Sequence, residues 1–169
     1  MPNKGYLKLA EEFFSIIEEK YVKNKIHHSY SKDIVFIEDY AFLINALNDL
    51  YDKTMNFKYR ELARKISYEA INKFFLTDKN IFQKNPKNNN DIFLKPIDIG
   101  DNTIPNGNAI MLINLTRLGM MEDAKKLCES LNGYINIYKN HMMTSLRAVD
   151  YFNNIKDGKN CNEQGCINV

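Results

Sequence analysis

The sequence has no tryptophan, only three cysteines and four prolines, and no apolar run long enough to cross a bilayer. A membrane-spanning helix needs about 20 consecutive apolar residues, and the N-terminus lacks the charged-then-apolar pattern of a secretory signal. The 23 basic and 21 acidic residues nearly cancel, which leaves no large field to attract nucleic acid or an anionic membrane. We therefore expect a cytoplasmic protein with neither nucleic acid nor membrane as a partner.

The cysteines do not follow a disulfide or metal pattern. Their number is odd, which argues against a disulfide framework. Cys161 and Cys166 lie in a polar tail without a nearby histidine, whereas zinc sites usually bring four ligands at closer paired spacings. Cys128 falls on the apolar stripe of a predicted helix, where packing is its expected role. We predict no metal and no cofactor, and a flexible tail at 154–169 after one domain at 1–153.

Helical periodicity dominates the rest of the chain, and two kinds of helix alternate. Three segments carry apolar residues on one face: 6–22, 57–75 and 121–140. Three others are apolar over most of their circumference: 37–54, 109–118 and 141–154. The first kind is expected on the outside and the second buried nearly all round. The first helix should bury Leu7, Ala10, Phe13, Phe14, Ile17 and Tyr21.

This alternation predicts an all-α fold of repeated helical hairpins, because a four-helix bundle would have helices of one kind. An α/α toroid, or a solenoid of hairpins, fits the pattern. The strings "IFQK" and "DIFLKP" are β-like and flank a turn rich in Asn, Pro and Lys. They predict a small β-hairpin insertion near residues 80–96, or a long ordered loop in its place.

Polar residues precede two of the helices that are predicted to be buried. In a ring of hairpins the loops entering the inner helices gather at one end, where free backbone N–H groups are capped or bind a polar ligand. Glu38 and Asp39 would lie at one such start. The string "PNGN" would lie at another and supplies Pro105, Asn106, Gly107 and Asn108.

The strings "IEDYAFLINALNDLYDKT", "KPIDIGDNTIPNGNAIMLINLTRLG" and "MTSLRAVDYF" resemble the C-terminal helical region of the YyaL-like thioredoxin-domain proteins, which include spermatogenesis-associated proteins. That region is similar to the (α/α)6 toroids of six-hairpin glycosidases and N-acylglucosamine 2-epimerase. The matching positions are Glu38, Asp39, Tyr40, Ala41, Asp101, Pro105, Gly107 and Asn108, with Asn106 where the family usually has Ser. The family's glycine-pair strand, its thioredoxin-like domain and the remaining hairpins have no counterpart here, so the resemblance implies part of a toroid.

The resemblance also implies which chemistry to look for. A glycosidase needs two carboxyl groups about 5 to 9.5 Å apart, and Glu38 and Asp39 diverge by about 100° on a helix. One of them would have to pair with Asp98 or Asp101. An epimerase would need histidines, for which His28 and His141 are the candidates. Tyr30, Tyr40 and Phe42 could stack on a sugar ring, although aromatic residues at helical spacing are more often part of the core. In the structural interpretation, Asp39 caps its helix and Glu38 meets solvent.

Two functions stay open at this stage. The first is a non-catalytic binding or assembly module that packs with itself or with a chain that completes the toroid, because part of a ring exposes apolar flanks. The alternative is a toroid that binds a sugar-like small molecule at the inner-helix mouth. If the protein is an enzyme at all, we expect a glycosidase- or epimerase-like activity that requires a completed ring.

Overall fold

The described residues form six α-helices, as the periodicity predicted, and the all-α fold class is confirmed. The structure is a computed structural model and describes residues 4–22, 25–29, 34–88, 96–158, 160–162 and 165–167. The helices are α1 (Lys4–Ile17), α2 (Ile37–Thr54), α3 (Phe57–Phe74), α4 (Gly107–Arg117), α5 (Met121–Tyr138) and α6 (Met143–Lys156). A π-helical stretch, Glu18–Val22, follows α1, and a 3-10 turn, Lys139–His141, precedes α6.

Two tight connections make helical hairpins. Met55, with a φ of 56°, ends α2 in the left-handed region, and the side chain of Asn56 accepts a 3.1 Å hydrogen bond from the Lys58 N–H at the start of α3. Gly119, with a φ of 73°, follows α4, where a residue without Cβ relieves the steric penalty. Helices joined by such short turns pack as antiparallel neighbours.

Three helices form a row with α4 in its middle. α4 packs against α2 on one side and α6 on the other, while α3 covers α2 and α5 lies against α4 and α6. Buried amides join the two central helices: Asn114 Nδ2 donates to the Ala41 carbonyl at 2.8 Å, and Asn48 Nδ2 to Asn114 Oδ1 at 3.3 Å. The one-sided burial predicted for α3 and α5 is observed. Of the helices predicted to be buried nearly all round, α4 is so packed, but α2 leaves Phe42 and Ala46 exposed. α6 is buried on one face only, with Met143 and Leu146 exposed.

The small hairpin lies earlier than the sequence predicted. Strand β1 (Phe75–Leu76) follows α3 directly and pairs antiparallel with β2 (Ile81–Phe82). The expected second piece, "DIFLKP", falls largely outside the described residues. The rings of Phe75 and Phe82 meet edge to face at 4.9 Å in the core, and their burial favours this pairing.

The chain after α6 contains two further strands. α6 ends at Lys156, three residues beyond the predicted domain boundary, and β3 (Asn160–Asn162) pairs antiparallel with β4 (Gly165–Ile167). Strand pairing is thus present within the segment for which we predicted a flexible tail.

α1 does not bury the face that its periodicity predicted. Phe14 is buried and meets the Tyr59 ring at 5.5 Å, and Leu7 is half-buried. Phe13 remains 58% exposed, and Ala10 and Ile17 are also exposed. The prediction is wrong at these positions because α2 and α3 contact only one edge of the apolar face of α1.

Candidate functional site

The N-termini of α2, α4 and α6 meet at one end of the helical row, which we call the mouth. A Cβ added to Gly107, the first residue of α4, would lie 3.2 Å from the Ile37 side chain and 3.4 Å from that of Glu38. The side chain of Asn106 lies 3.2 Å from the Ser145 hydroxyl at the start of α6. Gly107 therefore serves close helix packing, for which the absence of Cβ is needed.

Asp101 and Asn106 join the starts of α4 and α6. Asn106 Oδ1 accepts a 2.9 Å bond from the Ala109 N–H and so caps α4. Asp101 accepts from Asn106 Nδ2 at 3.0 Å and from the Thr144 N–H at 2.7 Å. Burial opposes the charge of Asp101, but the hydrogen bonds from Thr144 and Asn106 outweigh it and lower the pKa of this carboxyl. Both side chains are committed to holding the helix ends together.

Asn108 is also used by the fold. It is fully buried, and its Oδ1 accepts from the Phe82 N–H at 2.9 Å. Its Nδ2 donates to the Phe82 carbonyl at 2.9 Å and to the Asp98 carbonyl at 3.0 Å. The amide thus pairs with strand β2 as another strand would, which leaves it unavailable to a ligand.

Asp39 closes the start of α2 from the third helical position. Its Oδ2 accepts from the Phe36 N–H at 2.8 Å, which is the arrangement of a capping-box acid. Its Oδ1 lies 2.9 Å from His28 Nδ1, and the His28 ring packs against Phe36 at 4.9 Å. Asp39 therefore has the capping role expected of it, and it also orients His28.

Glu38 is the exception at the mouth. Its Oε2 is buried and has no hydrogen-bond partner among the described residues. Burial is the main cause that raises the pKa of Glu38, against the lowering effects of a backbone hydrogen bond and of Lys84. The expectation that Glu38 meets solvent is therefore wrong for this oxygen, because the close approach of Gly107 covers one side of the side chain. An unpaired buried oxygen costs about 1 to 3 kcal/mol.

The two carboxyl groups proposed as partners of Glu38, those of Asp98 and Asp101, have different surroundings. Asp98 acts on the charge of Glu38 and raises its pKa, while Lys84 Nζ lies 3.4 Å from Asp98 Oδ2. Asp101 is occupied by the starts of α4 and α6. The groups that remain for polar chemistry are thus Glu38, Asp98 and Lys84.

The hydroxyl of Tyr40 points away from the mouth, which corrects its assignment there. It donates to Glu69 Oε1 on α3 and accepts from Lys73 Nζ at 2.8 Å. Tyr40 is fully buried, and burial together with the Glu69 hydrogen bond raises the pKa of its hydroxyl. Residues 38 and 40 are about 200° apart around a helix, so their side chains leave it on opposite faces.

The remaining predicted residues have minor or undescribed roles. Pro105 is exposed. His141 is exposed as a side chain, and its carbonyl accepts from the Asp101 N–H at 2.7 Å. Tyr30 lies outside the described residues.

Sequence reasoning missed three contributors to the mouth. Within the first turn of α6, the Thr144 N–H donates to Asp101 and the Ser145 hydroxyl accepts from Asn106 Nδ2. A backbone donor such as the Thr144 N–H carries no signal in the sequence. Lys84, beside Asp98, carried no signal, because its proximity depends on the path of the chain after β2.

Among the described residues, an apolar groove and a polar cavity lie away from the mouth. An apolar groove of about 730 Å³ runs between α1 and α2; we call it the α1–α2 groove, and its walls include Tyr6, Leu7, Phe13, Ile17, Phe42 and Leu50. A polar cavity of about 710 Å³ lies between the π-helical stretch and α3. It contains Glu69 and Lys73, which pair with each other at 2.6 Å.

Comparison with models of protein families and with curated proteins gives no match. Within the described ranges, no group of three or more His, Cys, Asp or Glu residues is placed to hold a metal ion. Of the helices in those ranges, none has the length and apolarity to cross a membrane.

Proposed function

We propose that this protein is a non-catalytic helical assembly module whose α1–α2 groove binds an amphipathic helix of another polypeptide chain. The main observation in support is the groove itself, in which Tyr6 is 73%, Phe13 58% and Phe42 37% exposed. Large exposed apolar surfaces of this kind mark interaction sites.

The apolar face of α1 is wider than the part of it that the other helices cover. At about 100° per residue, the apolar residues from Tyr6 to Ile17 occupy about 180° of the helix circumference. Packing onto the body uses the edge that holds Leu7 and Phe14. A helix that packs on one side needs an apolar stripe of about 100°, so the exposed edge is surplus to the fold described here.

The α2 side of the groove has the relief that helix packing requires. Phe42, Ala46 and Leu50 follow each other at intervals of four residues and all line the groove. Such a row forms a ridge beside which a second helix packs, with axes about 8 to 10 Å apart. Ala46, which is small and exposed, permits a close approach at the centre.

The proposal includes the toroid architecture. The row of α2, α4 and α6, with α3 and α5 packed against it, supports a segment of an (α/α)6 ring, and the three N-termini at one mouth support the same assignment. The uncovered side of α2 is then where a further helix of such a ring would pack. The resemblance to YyaL-like proteins belongs to this proposal.

The test uses a synthetic amphipathic helical peptide with Leu and Phe at heptad spacing, labelled with a fluorophore, and the full chain at dilute concentration. We expect binding, measured by fluorescence anisotropy, to be lost in Ala46→Glu, which places a charge in the centre of the groove. The control is Gly133→Glu, which places the same charge on α5, where an added Cβ would meet no described atom within 4 Å, and should leave binding intact. Absence of binding to the unmodified chain would contradict the proposal.

A second candidate function rests on Glu38. Its buried, unpartnered Oε2 beside Lys84 and Asp98 suits a ligand that donates a hydroxyl or amine hydrogen, such as a sugar-like molecule. Calorimetric titration with neutral and amino monosaccharides should then show binding that Glu38→Leu abolishes. If no sugar produces heat with the unmodified chain, the mouth is a structural junction alone.

A further inference from the structure

We propose that the helix bound in the α1–α2 groove is α1 of a second copy of this chain, so that two copies pair through antiparallel α1 helices. This inference rests on the proposed function and names the partner. The reason is that α1 forms one wall of the groove and also has an exposed apolar ridge. The same surface on each of two copies can therefore form the whole interface.

The exposed ridge has the spacing that helix pairs use. Tyr6, Leu9, Phe13 and Ile16 follow one another at intervals of three, four and three residues, and all are exposed. This is the spacing of the a and d positions in a coiled coil. In a two-fold pair, the ridge of each copy enters the groove of the other, because such an interface uses the same patch on both partners.

The exposed area is sufficient for a reversible dimer. A large aromatic or aliphatic side chain has an area of about 200 Å². Multiplied by this area, the exposed fractions of the ridge residues, Ile17 and Phe42 give roughly 600 Å² of exposed surface per copy. Two copies would then bury about 1,200 Å², which is the lower limit for specific interfaces. We therefore expect an association that depends on concentration.

Charge along α1 favours the antiparallel arrangement. Lys8 lies near the start of α1, 3.7 Å from Glu12 one turn further on, and Glu19 lies in the π-helical stretch that follows α1. Counted at about 100° per residue, the three project to the same side, and all three are exposed. In a parallel pair the two-fold axis runs along the helices, so the charged flanks of the two copies lie on opposite sides of the interface and do not meet. In an antiparallel pair centred near Phe13, Lys8 of one copy faces Glu19 of the other, and this contact occurs twice.

The first experiment is light scattering of the full chain over a concentration series. We expect the mass to rise from 19.8 kDa towards twice that value, and Phe13→Glu to remain at the monomer mass throughout. The control is Ile137→Glu, which makes the same kind of change at a 70% exposed residue on α5 and should dimerise normally. Circular dichroism of both variants shows that the fold is kept.

The second experiment tests the orientation. Lys8→Glu and Glu19→Lys should each weaken dimerisation several-fold, and the double variant should restore it, because the two opposite charges then face each other again. A parallel pair predicts no such restoration, since the charged flanks then lie on opposite sides of the interface and Lys8 of one copy stays about 16 Å along the helix axis from Glu19 of the other.

The outcomes separate this inference from the proposed function. A chain that stays monomeric at all concentrations, or a dimer that Phe13→Glu leaves intact, overturns the second copy as the partner. If a monomeric chain still binds the amphipathic peptide in its groove, the proposed function stands and the partner is another protein. If instead it cosediments with phosphatidylcholine vesicles through Phe13 and does not bind the peptide, both proposals are overturned.

Discussion

Replacing Asn108 by Ala tests whether the amide at the start of α4 serves the fold. The side chain is fully buried and makes three hydrogen bonds, two to Phe82 and one to the Asp98 carbonyl. Each bond contributes about 1 kcal/mol, and buried groups left unpaired add a further cost. We therefore expect a loss of about 3 to 5 kcal/mol in the free energy of unfolding.

The assay is thermal unfolding followed by far-UV circular dichroism. For a chain of this length, each kcal/mol lowers Tm by about 2 to 4 °C, so Asn108→Ala should unfold at least about 6 °C earlier. Asn102→Ala, at an exposed position of the preceding loop, is the control and should change Tm little. Equal Tm values for the two variants would refute the reasoning and make Asn108 available for ligand binding.

Four further predictions use the same unfolding assay or chemical labelling. Because its pKa is lowered in the folded state, ionised Asp101 stabilises the fold at pH values above the ordinary Asp pKa of about 4. This stabilisation is lost as the pH falls through the pKa of the folded state. The difference in the free energy of unfolding between the unmodified chain and Asp101→Asn should therefore become smaller in acid. Gly107→Ala should destabilise by about 1 to 3 kcal/mol, since its Cβ would lie 3.2 Å from a neighbouring side chain. Gly133→Ala should instead stabilise by about 0.5 to 1 kcal/mol, because its Cβ would meet no atom within 4 Å in the described structure. Burial raises the pKa of Cys128, so maleimide labelling located by peptide mass spectrometry should reach it only after denaturant is added; rapid labelling in the native protein would contradict this.

The helices could be predicted from the sequence because their signals are local. The bounds of α2, Ile37–Thr54, coincide with the apolar run quoted for it, and Asn106 caps α4 as the polar lead-in suggested. The sequence placed the starts of α2 and α4 at one mouth, but the contact of the start of α6 there, between Ser145 and Asn106, was not predicted.

The roles of individual side chains could not be predicted, because they depend on distances between elements. Tyr40 belongs to a motif that resembles a ligand site, yet its hydroxyl binds Glu69, 29 positions along the chain. The exposure of Phe13 could not be predicted either. Periodicity gives the width of an apolar face but not how much of that face a neighbouring helix covers.

These findings divide the motif residues by their use. A ligand site keeps some polar groups free, whereas Asp39, Asp101, Asn106 and Asn108 spend their hydrogen bonds on the backbone around the mouth. The same sequence pattern can therefore be maintained by helix capping, without any substrate. α1 exposes apolar surface that no helix in the described ranges covers. Burying that surface would lower the free energy more than pairing the remaining polar groups at the mouth. We therefore favour assembly over catalysis as the function.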